Sequence, residues 1–378
     1  MDPRKILIIR TSALGDVIHV LSSLAALRQR FPQAAISWLV EPAGALLLEG
    51  HADLERILVF NRGRWKTQWR NPAAWPSLLG SFFSLLRQIR RERFDLVMDF
   101  QCNLRSGLAV LLSGGRRRLG FCRRDASEWG GWLFTGEKAP PAPPGVHKVE
   151  KNLHLVSTLG WSGPAPPPRI ALDPKDLAWA REAVASLSGG GPVVLLHPAV
   201  SRFGDIKRWS AEGFRDLADR ARSELDARIL ITWGPGERDM AEAVGRPTVA
   251  PPVRDPKQLA ALAACAHAVV AADTAILHIA SALDVPTVGL FGPKDERIYG
   301  PYPSGPTNRV VRSTAACSPC RLRRCEHRIC MSLVFPEDVF TALREAIGAG
   351  AARGRRKISS PGCPPSGPCP LPDRAAAE

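Results

Sequence analysis

Residues 268–293 read Ala-Val-Val-Ala-Ala-Asp-Thr-Ala-Ile-Leu-His-Ile-Ala-Ser-Ala-Leu-Asp-Val-Pro-Thr-Val-Gly-Leu-Phe-Gly-Pro, and this stretch decides the fold. Its first five residues are apolar, and 286–291 is apolar and rich in β-branched residues; between them Ile276, Ile279, Ala280 and Leu283 recur at helical spacing. The pattern is strand, helix, strand. Asp273 falls where the first strand ends, so Asp273 and Thr274 are placed to cap the helix while the N–H groups of Thr274, Ala275 and Ile276 point outward. Aligned peptide dipoles and unpaired donors at such a start attract anions, and at the carboxyl edge of a parallel sheet they suit a phosphate or diphosphate. Taken alone, the stretch reads more simply as a well-capped helix of an ordinary α/β domain, so the rest of the chain has to decide.

The same alternation recurs upstream. Asp173-Pro174 opens a helix to about residue 187; 193–197 is a strand, and the loop after it carries Ser201, Arg202, Lys207, Arg208 and Trp209. A helix marked by Phe214, Leu217 and Ala221, a strand over 228–232 and a Gly234-Pro235-Gly236-Glu237 turn follow. Nearer the N-terminus, 5–10 is a nearly all-apolar strand, as buried parallel strands are. The turn Thr11-Ser12-Ala13-Leu14-Gly15-Asp16 then leads into a helix with Val17, Val20, Leu21, Leu24 and Leu27 on one stripe. Strands are expected over 36–40, 57–60 and 95–100, and a long helix from Trp75 to Ile89. This rhythm predicts an α/β fold of two doubly wound units, 1–160 and 173–335, joined by a Pro-rich linker over 161–172, with a cleft where their strand ends face each other. Val339, Leu343 and Ile347 mark a closing helix over 336–348 that packs back toward the first unit, and the Gly, Arg, Pro, Ser and Ala of 349–378 suit a disordered tail.

Asp16 is placed at the first sheet's carboxyl edge, where an Asp is ordinarily only a cap; Gly15 before it permits close approach of backbone or ligand. Basic loops follow other strands of the first unit: Arg62, Arg64, Lys66 and Arg70 with Trp65 and Trp69 interleaved, then Asn103, Arg105 and Ser106. Any one of these charges is most simply a solvated surface group, and Arg116 to Arg118 are read that way.

The chain of 378 residues is long enough for two domains, and 45% hydrophobic with 23% charged residues is ordinary for a soluble protein. Its start shows no signal peptide, and the apolar run 259–283 is interrupted by His267, Asp273 and His278, so a cytoplasmic protein is expected. The formal charge of +15, mostly from Arg, calls for an anionic partner: nucleic acid, an anionic membrane surface or a polyanionic substrate. No recognition-helix or aromatic RNA-binding signature supports nucleic acid. Of nine cysteines, Cys317, Cys320, Cys325 and Cys330 cluster, with His327 among them. A structural zinc and unbound thiols both stay open; the missing second C-x-x-C favours the thiols.

The segment Ile-Leu-Ile-Ile-Arg-Thr-Ser-Ala-Leu-Gly-Asp-Val-Ile-His, together with Lys207-Arg208-Trp209, Trp233-Gly234-Pro235-Gly236-Glu237, Asp273-Thr274 with His278, Phe291-Gly292-Pro293 and Cys-Ser-Pro-Cys, resembles glycosyltransferase family nine. These are the bacterial ADP-heptose:lipopolysaccharide heptosyltransferases. The match runs in order over roughly residues 5–347; its N-terminal motif is most similar to first-heptose enzymes and its cysteine cluster to second-heptose enzymes. The resemblance implies a GT-B architecture of two Rossmann-like domains, with acceptor bound by the N-terminal and nucleotide sugar by the C-terminal domain. It also implies inverting transfer of heptose from ADP-heptose to the inner-core Kdo of a lipid A-based lipopolysaccharide precursor, with no cofactor or essential metal, at the cytoplasmic face of the anionic inner membrane. Carried over by position, Asp16 is the general base, Lys207 and Ser201 contact the diphosphate, and Glu237 contacts the ribose. Asp273, with the backbone of Thr274 and Ala275, holds sugar and phosphates, and His278 belongs to the same donor set. Arg62, Arg64, Lys66, Asn103 and Arg105 fit an acceptor bearing phosphates and carboxylates. The alternative is another nucleotide-sugar enzyme of this fold, such as an epimerase.

Overall fold

Strand β1 (Lys5–Ile9) is buried along nearly its whole length, which is why its sequence is apolar without alternation. The computed structural model describes residues 2–353 apart from 127, 188, 201, 235, 246–249, 251, 321 and 323. The expected tail from 354 onward therefore lies outside the described residues.

The first sheet comprises β1, β2 (Ala35–Val40), β3 (Arg56–Val59), β4 (Leu96–Asp99), β5 (Arg117–Gly120) and β6 (Glu137–Lys138), all parallel in the order β3-β2-β1-β4-β5-β6. Its helices are α1 (Leu14–Arg30), α2 (Pro42–Leu48), α3 (Arg62–Gln68), α4 (Trp75–Glu92), α5 (Leu104–Ser113) and α6 (Lys148–Ser157). Because strand side chains alternate, β1 divides the helices into two layers. Ile6 and Ile8 join the cluster containing α1, α2 and α6, whereas Leu7 and Ile9 meet Ile89 of α4 and Val110 of α5.

The second sheet comprises β7 (Val193–His197), β8 (Arg228–Ile231), β9 (Ala268–Ala272), β10 (Thr287–Phe291) and β11 (Asn308–Arg312), again all parallel, in the order β11-β10-β9-β7-β8. With it go α7 (Pro174–Ala185), α8 (Ala211–Leu225), α9 (Arg238–Val244), α10 (Pro256–Cys265), α11 (Ala275–Ala282), α12 (Glu296–Tyr299), α13 (Ile329–Ser332) and α14 (Pro336–Ala352). Its two faces are covered by α7, α10 and α11 on one side and by α8 and α14 on the other. The helix expected over 336–348 is longer than the sequence implied, and it packs on α8 and the second sheet rather than toward the first unit. Val339, Phe340, Leu343 and Ala346 make a stripe, and α8 leaves part of that sheet face for it to cover.

Between the lobes the core is continuous. Helix α1 packs on α11 and α2 on α10, and Lys257 Nζ in α10 donates to Glu49 O at the end of α2 at 2.5 Å. Two Rossmann-like lobes in this arrangement form a GT-B architecture.

Candidate active site

Asp16 lies in the first turn of α1, directly beyond the end of β1. The Arg10 guanidinium, itself buried, pairs through Nη2 with Asp16 Oδ2 and through Nη1 donates to Phe100 O at 2.8 Å. The next strand end braces this corner. Thr11 donates from both its N and its Oγ1 to Gln101 Oε1, at 2.8 and 2.7 Å. Asp99 Oδ1 accepts from the N–H groups of Gln101 and Cys102, and Oδ2 accepts from Ser106 Oγ at 2.8 Å. Complete burial raises the Asp99 carboxyl to about 6 despite those donors. Arg10 belongs to the N-terminal family segment, and Asp99 and Gln101 to a strand end, but the sequence singled out none of the three as a site residue.

In the second lobe, β9 hands over to α11 at Asp273 and Thr274, as read from the sequence. Thr274 is the N-cap residue but forms no side-chain cap; its Oγ1 is buried with no hydrogen-bond partner among the described residues. Lys207 Nζ donates to Asp273 Oδ2 at 2.5 Å and to Asp273 O at 3.2 Å. Trp209 anchors the Lys207 segment by burying its ring and donating Nε1–H to Val334 O at 2.9 Å. Burial alone would raise the Asp273 carboxyl, but the His278 hydrogen bond and the Lys207 charge outweigh it and hold the group at about 2.

The His278 ring is buried, with Nε2 3.4 Å from Asp273 Oδ1 and Nδ1 3.2 Å from His19 Nε2. Because a carboxylate only accepts, His278 Nε2 carries the proton toward Asp273; which ring donates between His278 Nδ1 and His19 Nε2 depends on the tautomer. Burial, followed by the charges of His278, His147, Lys148 and Arg10, keeps His19 far below its ordinary range and neutral. His147 continues the chain: its ring lies edge-on to His19, stacks on Tyr302 at 4.8 Å, and its Nε2 lies 3.0 Å from Gly300 O. Three histidines from distant parts of the sequence thus form one interlobe seam, visible only after folding.

The two corners meet at that seam. A Cβ on Gly15 would lie 2.9 Å from His278 Cδ2, so glycine is what lets α1 come this close. Tyr299 of α12 feels both carboxylates: burial, then the charges of Asp16 and Asp273, push its phenol upward. The Lys148 ammonium lies 5.5 Å from the Tyr299 ring; burial lowers its pKa, while Asp16 opposes that shift. Both groups escaped the sequence reading.

The remaining candidates are dispersed. Glu237 heads α9, and its Oε2 accepts from Gly234 N at 2.9 Å. Arg62 pairs with Glu41 at 3.5 Å, and Arg64 donates to Ser77 Oγ at 2.7 Å, while Lys66 is exposed on the same helix, α3. Arg105 is exposed on α5. Asn103 is turned away from any acceptor: it is buried, and its Oδ1 accepts from Ser106 N at 3.0 Å in a capping box. Ser201 lies outside the described residues. Cys317, Cys320, Cys325 and Cys330 are free, and among the described residues no three His, Cys, Asp or Glu side chains are grouped to hold a metal. Cys330 is buried beside Gly292 while Cys317 is exposed, and burial, then the neighbouring Cys317, Cys320 and Cys325 thiols, push the Cys330 thiol up.

Two such lobes, with an acidic corner on one and an uncapped helix start on the other, define a nucleotide-sugar enzyme class of fold, GT-B. A family model described as glycosyltransferase family 9 (heptosyltransferase) matches residues 82–329. Lipopolysaccharide heptosyltransferase 1 of Pseudomonas aeruginosa is 30% identical over 331 residues, 86% of this chain and 88% of that protein. The solved structure of Escherichia coli heptosyltransferase WaaC with ADP aligns at a TM-score of 0.70 and 26% identity, covering 90% of this chain and 99% of that one. WaaC with ADP-2-deoxy-2-fluoro heptose aligns at 0.68 with the same identity and coverage. The chain belongs to glycosyltransferase family 9, the heptosyltransferases.

Proposed function

We propose that this enzyme moves heptose from ADP-heptose to the inner-core Kdo of a lipid A-based lipopolysaccharide precursor, with inversion and with Asp16 as general base. The observation carrying this reading is the facing pair of corners: the Asp16 carboxylate on one lobe, and the start of α11 with Thr274 and Lys207 on the other, both carboxylates bearing on Tyr299.

In the proposed step the donor diphosphate sits at the start of α11, against the free N–H groups, Thr274 Oγ1 and the Lys207 ammonium. Asp273 holds Lys207 in place, and Glu237 is left for the ribose. The acceptor hydroxyl hydrogen-bonds to Asp16 and attacks the anomeric carbon from the face opposite ADP. As the new C–O bond forms, the bond to the diphosphate breaks; the hydroxyl proton passes to Asp16, and the leaving charge is met by Lys207 and the helix dipole. Arg10 keeps Asp16 aimed. Arg62, Arg64, Lys66 and Arg105 supply positive charge for the acceptor's phosphates and carboxylates. Family membership favours transfer over epimerisation. Among the described residues no helix is long and apolar enough to cross a membrane, so a lipid-borne acceptor calls for peripheral contact with the cytoplasmic face of the inner membrane.

Incubation with ADP-heptose and Kdo-bearing lipid A tests the proposal. The native chain should form heptosylated product, and Asp16→Asn should do so at least ~100-fold more slowly, the scale of losing a general base. Equal rates would remove Asp16 from the mechanism, and no product from the native chain would remove this acceptor.

A further inference from the structure

We propose that the outward face of the first lobe, built from α4, α5 and the turn 131–133, docks on an anionic phospholipid surface. The inference deepens the proposed function by naming the surface that would bring the enzyme to a lipid-borne acceptor.

Helix α4 has two apolar stripes. One, with Ile89 buried and Leu85 packed beside it, closes the small core on that side of the first sheet. The other is uncovered: Trp75, Leu79 and Phe83 recur every four residues and are 52%, 42% and 57% exposed. Helix α5 repeats the pattern, with Leu104, Leu108 and Leu111 each more than 40% exposed. The two helices adjoin, since Arg90 Nε of α4 donates to Leu112 O of α5 at 3.0 Å. The surface continues past α5: a Cβ on Gly130 would lie 3.3 Å from Leu104, and Trp129 and Leu133 on either side of that glycine are exposed too. Single exposed apolar side chains are ordinary, but eight of them on adjoining elements mark a surface that some partner covers. Among the described residues α8 and α14, which cover the corresponding face of the second sheet, expose no such stripe; the second lobe's exposed large apolar side chains, Leu322, Ile329 and Phe335, lie before α14.

Charge selects the partner. Between residues 61 and 118 the acidic side chains are Glu92, Asp95 and Asp99 alone. Glu92 is held by Lys5 and Arg56, Asp95 accepts from the backbone of Arg4 and Lys5, and Asp99 is buried. On α4 and α5 nothing acidic therefore offsets Arg87, Arg91 and Arg105, which are exposed beside the apolar stripes; on the flanking turn Glu128 is exposed next to Trp129, with Arg123 and Arg124 also exposed a few residues before it. A second copy of the chain would bring the same positive charge and be repelled. An anionic bilayer surface instead takes Trp and Leu at the headgroup boundary while Arg meets lipid phosphates. Docking there also brings the acceptor helix to the bilayer, because Trp75 Nε1 donates to Trp69 O at 2.9 Å and Arg64 to Ser77 Oγ, tying α3 to the start of α4.

The full chain should co-sediment with vesicles of phosphatidylcholine containing phosphatidylglycerol, more weakly with phosphatidylcholine alone, and less in high salt. Leu79→Ser/Phe83→Ser, and separately Leu108→Ser/Leu111→Ser, should each weaken binding to the anionic vesicles by ~10-fold or more, the scale of withdrawing two partly buried apolar groups. Both variants should keep the native thermal shift with ADP, which reports a folded donor lobe. Three results would overturn the inference: no binding of the native chain to anionic vesicles, variants that bind as well as native, or a native dimer in sedimentation velocity that the same substitutions abolish. Vesicle binding without heptosyl transfer would instead overturn the proposed function and leave the docking surface standing.

Discussion

The β1–α1 corner and the β9–α11 corner are built alike, each with a parallel strand, a short turn and an Asp at the start of a helix, yet their carboxylates are held differently. Asp16 is 31% exposed and is paired with Arg10, so one side of it stays open to the cleft. Asp273 is 12% exposed and held by Lys207 and by a histidine that is itself fixed by a second histidine. In the proposed mechanism the open carboxylate receives the acceptor's proton, and the enclosed one stays charged and orients a lysine. The residue type is the same in both corners, and its neighbours assign the work.

The largest expected effect breaks that comparison directly. Asp16→Asn should lower kcat by ~100- to 10,000-fold with donor binding intact, because only the proton acceptor is lost. Asp273→Asn should instead weaken ADP binding and lower stability by ~2 kcal/mol, the worth of a carboxyl moved from 3.8 to about 2. Single-turnover kinetics and calorimetry on the pair decide it; matching profiles for the two variants would mean the corners share one role.

Acid should then separate the seam from the corners. His147 binds no proton in the fold until about pH 4, whereas the unfolded chain takes one up near 6.5. Its share of stability, ~3 kcal/mol, is therefore complete above pH 6.5 and drains away as pH falls toward 4. His197, buried and 3.0 Å from Thr232 Oγ1, drains over the same window from inside the second lobe. The Asp273 share is lost only lower, between about pH 4 and 2. Melting temperatures from pH 7 to 4 should fall, and His147→Gln should flatten the curve; an unchanged slope would show that the seam ring titrates normally.

Next in size is Gly15→Ala. The new Cβ would press on a His278 ring that Asp273 and His19 leave little room to move, so a cost of ~1–3 kcal/mol and a slower enzyme are expected. Native stability in this variant would show that the lobes slide freely at the seam. The sequence permitted half of this reading. It marked Gly15 as a point of close approach, and it found β1, β7, β9 and the start of α11, because buried parallel strands and helix stripes leave local apolar signatures. It missed β5, β6 and β11, short strands rich in charged residues, two of them (β6 and β11) at sheet edges, which read as charged loops; Arg117 and Arg118, taken for surface charges, lie in β5. The histidine seam was illegible for another reason: His19 and His278 are 259 positions apart, and no local pattern announces a contact of that span. Asn103 was misplaced because an Asn at a strand end suits a ligand and a helix cap equally, and the Asn-x-x-Ser spacing that signals the cap went unused.

The smallest effect concerns the basic loop. Arg62 reaches Glu41 at 3.5 Å and is 40% exposed, so the pair is screened by water and its removal should change stability by less than ~0.5 kcal/mol. If the loop serves the acceptor, Arg62→Ala should still raise the acceptor KM several-fold while leaving the donor KM and the melting temperature where they were. A fall of several degrees with unchanged acceptor KM would make Arg62 a brace between α3 and the end of β2. The first lobe would then meet its acceptor through Arg64, Lys66 and Arg105, and the contrast between an orienting second lobe and a receiving first lobe would rest on Asp16.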